Sequence, residues 1–177
     1  VLWLLGADEF DLAAIDAGTF VVYQGHHGDR GAARADVILP GAAYTEKSGT
    51  YVNTEGRVQR GAQSVFPPGE AREDWKILRA FAAMLGHHLP YDDIASVRRR
   101  LAEVNPVFEA LGLMRSPIAP DAPAPLAGDP GAVSAAPFAS PIENYYQTDP
   151  ISRASPTMAA CIEAMAANAS PLVAAAE

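Results

Sequence analysis

Three short apolar runs limit the architectures open to this chain: VLWLL at residues 1–5, FVVY at 20–23 and VILP within DVILP at 36–40, each bounded by glycine or proline. Runs this short are too brief for a fully buried helix and have the length of strands buried on both faces. Residues 11–17 and 31–35 lie between them and have helical character. Strand, short helix and strand in succession predict a partial parallel, Rossmann-like α/β sheet with crossover connections.

After Pro40 the pattern changes. Residues 49–53 (GTYVN) and 57–60 (RVQR) are short β-type segments joined by Thr54-Glu55-Gly56, and Gly56 can supply the positive φ that a tight hairpin needs. From 71 to 85 the apolar residues Trp75, Leu78, Ala82 and Leu85 recur at helical spacing, with Ile77, Phe81 and Met84 widening the stripe and Gly86 ending it. A second helix is predicted over 92–104, with Ile94, Val97, Leu101 and Val104 on one face, and 107–111 forms a further turn or two. Residues 112–141 are dominated by Pro, Ala, Gly and Ser and bury too little to offset their ordering entropy. A last helix starts at Ser155-Pro156, serine as N-cap and proline at the first helical position. The predicted organisation is an α/β lobe over 1–111, incomplete at its N-terminus, a Pro/Ala-rich connector over 112–144, and a C-terminal docking segment with a helix over 145–177.

Composition excludes several classes. A net charge of -8 argues against nucleic acid as partner, because phosphate binding needs clustered cations. The one tight basic run, Arg98-Arg99-Arg100, is read as the solvated face of a helix. Cys161 is the single cysteine, so the chain alone builds no disulfide, iron–sulfur cluster or Cys-rich zinc site. Asp8, Glu9 and Asp11 interrupt the first apolar run, and no run reaches the ~20 residues of a membrane span. Residues 1–6 carry neither initiator Met nor signal-peptide features and read as an internal strand, so the expectation is a C-terminal piece of a longer polypeptide.

Candidate chemistry is sparse. Adjacent histidines point apart on a strand or a helix, so neither His26-His27 nor His87-His88 chelates by itself; a site joining the two pairs stays open. The loop Gly25-His26-His27-Gly28-Asp29-Arg30-Gly31 sits where a phosphate could meet free backbone amides, but its glycine spacing is neither the dinucleotide fingerprint nor the P-loop pattern, and a tight turn without ligand is favoured. Glu46, Lys47 and Glu55 are read as surface or interface charges, Cys161 as a small buried hydrophobe, and Trp75 as core. Phe138, Tyr145 and Tyr146 are aromatic anchors, for a partner or for the chain's own lobe. No residue is assigned a catalytic, cofactor-binding or metal-ligating role.

The segment ADVILPGAAYTEKSGTYVNTEGRVQ, residues 35–59, closely resembles the molybdopterin oxidoreductase superfamily. The longer form from Tyr23, beginning YQGHHGDRGAAR, with PPGEAREDWKI and YYQTDPISRASPTMAACIEAM, resembles the large iron–sulfur subunit of respiratory complex I, the NADH:quinone oxidoreductase. The likeness covers residues 1–104 and 140–165. It implies a molybdopterin-enzyme body that no longer holds molybdenum, a structural part of the peripheral arm without chemistry of its own. It further implies that the iron–sulfur clusters of electron transport lie in an N-terminal part of the subunit absent here. The implied partners are that N-terminal part and neighbouring arm subunits, with no nucleic acid and no direct membrane insertion. The implied place is the cytoplasmic face of the bacterial inner membrane, or the matrix face in mitochondria. Active molybdoenzymes continue from GTYVNTEGRVQ into a β-rich cofactor-capping domain, whereas this chain turns to helices. The alternative is a lobe of an oxidoreductase that binds molybdopterin or another nucleotide.

Overall fold

The structure is a computed structural model, and it describes residues 1–113, 135–137 and 144–168. A three-stranded parallel sheet has the order β1 (Leu2–Leu5), β2 (Val21–Gly25), β3 (Val37–Pro40). A single 3₁₀ turn at Leu12–Ala14 joins β1 to β2, and the one-turn helix α1 (Arg30–Arg34) joins β2 to β3. The 3₁₀ turn begins where Asp11 accepts a hydrogen bond from the Ala13 amide at 2.9 Å. Asp36 ties the strands further, its carboxylate accepting from the Val21 amide at 2.7 Å.

The hairpin follows as expected, with β4 (Gly49–Val52) antiparallel to β5 (Val58–Gly61) and Val52 opposite Val58. Gly56 has φ +78°, and the Asn53 side chain accepts from the Glu55 and Arg57 amides, closing the loop from inside. Gly49 and Gly61 face each other in the ladder, and the Tyr51 ring lies over both, within 2.6 Å and 3.1 Å of where their missing Cβ atoms would be. Larger residues at either position would evict that ring.

Helix α2 (Asp74–Met84) ends at Leu85 with Gly86 at φ +80°. Helix α3 (Ile94–Val104) starts with a capping box between Asp93 and Ser96, two residues inside the expected start. A second 3₁₀ turn follows at Pro106–Glu109, capped by Asn105. Helix α4 (Pro150–Arg153), which the sequence reading does not anticipate, precedes α5 (Pro156–Asn168). Its signal is present in Asp149-Pro150-Ile151-Ser152: the Asp149 carboxylate caps the Ile151 and Ser152 amides, and the Ser152 hydroxyl answers it.

Contacts divide the described residues into two units. The first holds 1–23, 27–38, 135–137 and 144–168; the second holds 24–26 and 39–113. The first buries Leu4, Val21 and Tyr23, with Leu2, Leu12, Ile15, Ala32 and Ala35 packed around them. The second buries Ala42, Ala43, Val58, Ala71 and Ala110, mostly small side chains that let backbone segments approach closely. Most of the connector, with Phe138, lies outside the described residues.

Burial corrects the reading of the apolar runs. Only β2, with a paired strand on each side, is buried on both faces; Leu5 of β1 and Val37 and Ile38 of β3 are exposed. Apolarity reports what a strand is able to bury, and the few elements described here cover the central strand alone. The α2 stripe is likewise half-covered: Trp75, Ile77 and Leu78 are partly buried, while Phe81, Met84 and Leu85 are exposed. Cys161 is half-buried on α5 rather than enclosed.

A Cβ on Gly31, which is buried in α1, would fall 2.8 Å from Tyr23 Cδ2 and 3.0 Å from Asp8 Cβ. Gly31→Ala should therefore destabilise the chain by about 1–3 kcal/mol through overpacking, as read from urea unfolding. Gly28→Ala, with nothing within 4 Å of its Cβ, serves as the neutral control.

Candidate functional site

In open α/β sheets, ligands bind at the carboxyl ends of the strands. Here the loops leaving β1 and β2 bring together Asp8 and Asp29, and the chain answers them with its own cation. Gly6, at φ +63°, turns the chain out of β1 and delivers Asp8 into a fully buried position. One Asp8 carboxylate oxygen accepts from the Gly31 amide at 3.1 Å, and the other accepts from an Arg153 guanidinium nitrogen at 2.6 Å. Arg153 Nε donates to Asp29, and Glu9 lies 3.7 Å from the same guanidinium. The Arg153 side chain is 11% exposed and that of Asp8 1%, so this is a buried ion cluster joining residues 145 and 124 positions apart.

Local structure aims each member. Helix α4 holds Arg153 at its last position, its amide bonded to the Asp149 carbonyl at 2.9 Å. Tyr23 packs its ring against the bare face of Gly31 and donates its hydroxyl to the His27 carbonyl at 3.0 Å, fixing the loop that carries Asp29. The hydrogen bond from Arg153 holds the Asp29 carboxyl below its ordinary range. Burial, reinforced by the charges of Asp8 and Asp29, pushes the Tyr23 hydroxyl up and keeps it protonated.

The second unit has its own polar centre. The buried Gln24, from the end of β2, donates to the Asp74 carboxylate at 3.0 Å and to its carbonyl at 3.3 Å, and Lys47 pairs with the same carboxylate. A Cβ on Gly41 would come within 3.0 Å of Asp74 Oδ1. Glu46 accepts from the Ala43 amide at 2.9 Å. Glu46 and Lys47, expected as surface or interface charges, are partly buried and hold the turn after β3 onto the start of α2. Glu55, by contrast, is 59% exposed and pairs with Arg57.

The remaining candidates disperse. His26 and His27 are half-buried in the loop after β2, and His87 and His88 are exposed beyond α2. Among the described residues no three His, Cys, Asp or Glu side chains form a metal-binding group. Trp75 donates to Glu73 at 2.6 Å with Lys76 over its ring. Tyr145 is 78% exposed and meets Tyr146 edge to face at 5.8 Å. Arg153, the residue that organises the cluster, carries no signal of its own in sequence. Its partners are remote, and only the cap of α4 is legible.

Comparison with known proteins gives the class first. Residues 1–84 match the family described as Molybdopterin oxidoreductase, so the sheet, the hairpin and α2 are of molybdopterin oxidoreductase type. Residues 115–161 match a second family, which describes the C-terminal region of an NADH-ubiquinone oxidoreductase subunit. The chain is 53% identical to the mitochondrial NADH-ubiquinone oxidoreductase 78 kDa subunit of Neurospora crassa, over 90% of this chain and 22% of that protein. It is 51% identical to the 78 kDa subunit of Candida albicans, over 94% and 24%. Against the mitochondrial NADH dehydrogenase [ubiquinone] iron-sulfur protein 1 of Solanum tuberosum it is 44% identical, over 90% and 21%. The chain belongs to the family of the complex I 78 kDa subunit, and it spans between about a fifth and a quarter of the length of these curated relatives.

The molybdopterin cofactor implied by the first family carries phosphate, and the strand-end residues do not fit it. Two carboxylates, Asp8 and Asp29, stand at the strand ends, and the Gly31 amide that an anion would use is already bonded to Asp8. The Arg153 cluster joins the two matched regions, since Asp8 and Asp29 fall in one and Arg153 in the other.

Arg153→Ala should destabilise the chain by about 3–5 kcal/mol in urea unfolding, because it removes the cation paired with the buried Asp8 carboxyl. The triple change Asp8→Asn, Asp29→Asn, Arg153→Met should cost less than the single one. The acid dependence follows from Asp29. Its folded carboxyl titrates lower than its unfolded one, so its stabilisation is complete above the ordinary range near ~3.9 and disappears as pH falls through the lowered value. Urea midpoints followed from neutral to acid pH should fall less steeply in Arg153→Gln than in the parent chain.

Proposed function

We propose that this region is a structural part of the peripheral arm of a proton-pumping NADH:quinone oxidoreductase, supporting the cluster-bearing part of its subunit and performing no chemistry. The observation that carries the reading is the Arg153–Asp8–Asp29 cluster, which closes the strand-end crevice with the chain's own charges. A crevice of this kind in a ligand-binding α/β enzyme presents free amides; here the chain's own carboxylate has taken one. The named relatives support assembly into complex I; the iron–sulfur clusters of the subunit are part of the proposal, placed outside this chain because its single cysteine cannot hold one. No helix among the described residues is long and apolar enough to cross a membrane, which agrees with attachment through other subunits. The relatives described as mitochondrial favour the matrix face where the host has mitochondria. Exposed Leu5, Val37, Ile38 and Met84 provide apolar surface for covering by the rest of the subunit.

A second reading, an oxidoreductase lobe that holds molybdopterin or a nucleotide, draws on the molybdopterin oxidoreductase match over residues 1–84. Elemental analysis and cofactor extraction of the intact subunit separate the two. The structural reading expects iron without stoichiometric molybdenum or pterin, and a 177-residue chain that is colourless and does not oxidise NADH. Stoichiometric pterin, or NADH oxidation by the pure chain, would sink it.

A further inference from the structure

The described cations of the second unit divide sharply. Lys47, Arg57, Arg72, Lys76, Arg79 and Arg100 each pair with a carboxylate. Arg60, Arg98 and Arg99 form no ion pair among the described residues, and all three line one groove of about 520 Å³ bounded by β5, α3 and the second 3₁₀ turn. Arg98 donates one terminal nitrogen to the Gly49 carbonyl at 3.3 Å, and its Nε is buried with no hydrogen-bond partner among the described residues. Arg60 and Arg99 are exposed. In a chain of net charge -8, three guanidiniums without a paired carboxylate within 4 Å outnumber the two acidic residues, Glu103 and Glu109, that line the same groove, and the buried Arg98 Nε lacks an acceptor among the described residues.

We propose that this groove binds an extended acidic segment of a protein partner, with carboxylates on Arg60, Arg98 and Arg99 and an apolar side chain against Phe108. The geometry selects this occupant over a compact polyanion. Arg98 and Arg99 are neighbours on a helix and diverge by about 100°, and Arg60 comes from a different element, so the three forks suit carboxylates spaced along a chain. The groove offers arginine beside an aromatic wall, the composition favoured at the centre of protein interfaces. Sequence alone reads Arg98-Arg99-Arg100 as one solvated face. The fold separates them, since Arg100 is neutralised by Glu103 at 3.1 Å and Arg98 turns inward. The inference rests on the groove alone and holds whether or not the assembly proposed above is correct.

The test uses the whole 177-residue chain and a fluorescein-labelled synthetic peptide of alternating glutamate and leucine, followed by fluorescence anisotropy. Saturable binding that falls with salt is expected, weakened roughly tenfold or more in Arg60→Glu/Arg99→Glu and unchanged in Arg30→Glu, an exposed cation of the other unit. Should the double reversal fail to fold, as read by circular dichroism, Arg60→Gln/Arg99→Gln replaces it with the same expected direction. Absence of binding, or binding indifferent to both double variants, overturns the proposal. Displacement of the peptide by inorganic phosphate or ADP at lower concentration than by unlabelled peptide also overturns it, because the groove would then be a phosphate site.

Discussion

A buried arginine between two aspartates is the interaction on which the first unit depends. Taking three charges out of water is costly, and the cost is offset only because each charge finds a partner in the low-dielectric interior. Arg153 satisfies Asp8 and Asp29 together, and Asp8 uses its second oxygen on the Gly31 amide. The loops after β1 and β2 and the short helix α4 therefore share one electrostatic centre. The close approach depends on a residue with no side chain: Gly31 admits both the Tyr23 ring and Asp8.

The same centre sits at the strand ends of a fold of molybdopterin oxidoreductase type. Ligand binding at strand ends draws on unsatisfied amides and on room for an anion. Two carboxylates and the guanidinium they share occupy this end of the sheet. In the second unit, Gln24, Lys47 and Asp74 play a comparable part, tying the end of β2 and the turn after β3 to the first turn of α2. Polar residues that would be catalytic candidates in an open pocket are consumed in holding the backbone. Arg60, Arg98 and Arg99, which line one groove with Glu103 and Glu109, form no ion pair among the described residues.

Much of the fold is legible because its signals are local. The apolar runs mark β1 to β3, Gly56 marks the hairpin turn, and Gly86 marks the end of α2. Ser155-Pro156 marks the start of α5. Helix α4 is written in Asp149-Pro150 but escapes a reading by periodicity, because one turn has no period to read. Glu46 and Lys47 defy the default that places a charged residue at the surface, and only the proximity of Ala43 and Asp74 brings them partly inside. Trp75 and the α2 stripe have helical spacing, yet spacing alone does not say how much of a face finds a neighbour.

By itself, the sequence determined the order and type of the main elements, the family through its motifs, and the exclusion of an internal disulfide or a cluster built from this chain's cysteines alone, since it has one thiol. Tertiary structure alone decided which charges meet. Asp8, Asp29 and Arg153 are ordinary acidic and basic residues until folding brings positions 124 and 145 apart into hydrogen-bond distance, and the fold turns Arg98 inward while Arg100 meets a carboxylate. Local propensity is written in neighbouring residues. Ionic pairing across the chain is set by the distances and burial that the assembled fold creates, and no spacing in the sequence encodes either.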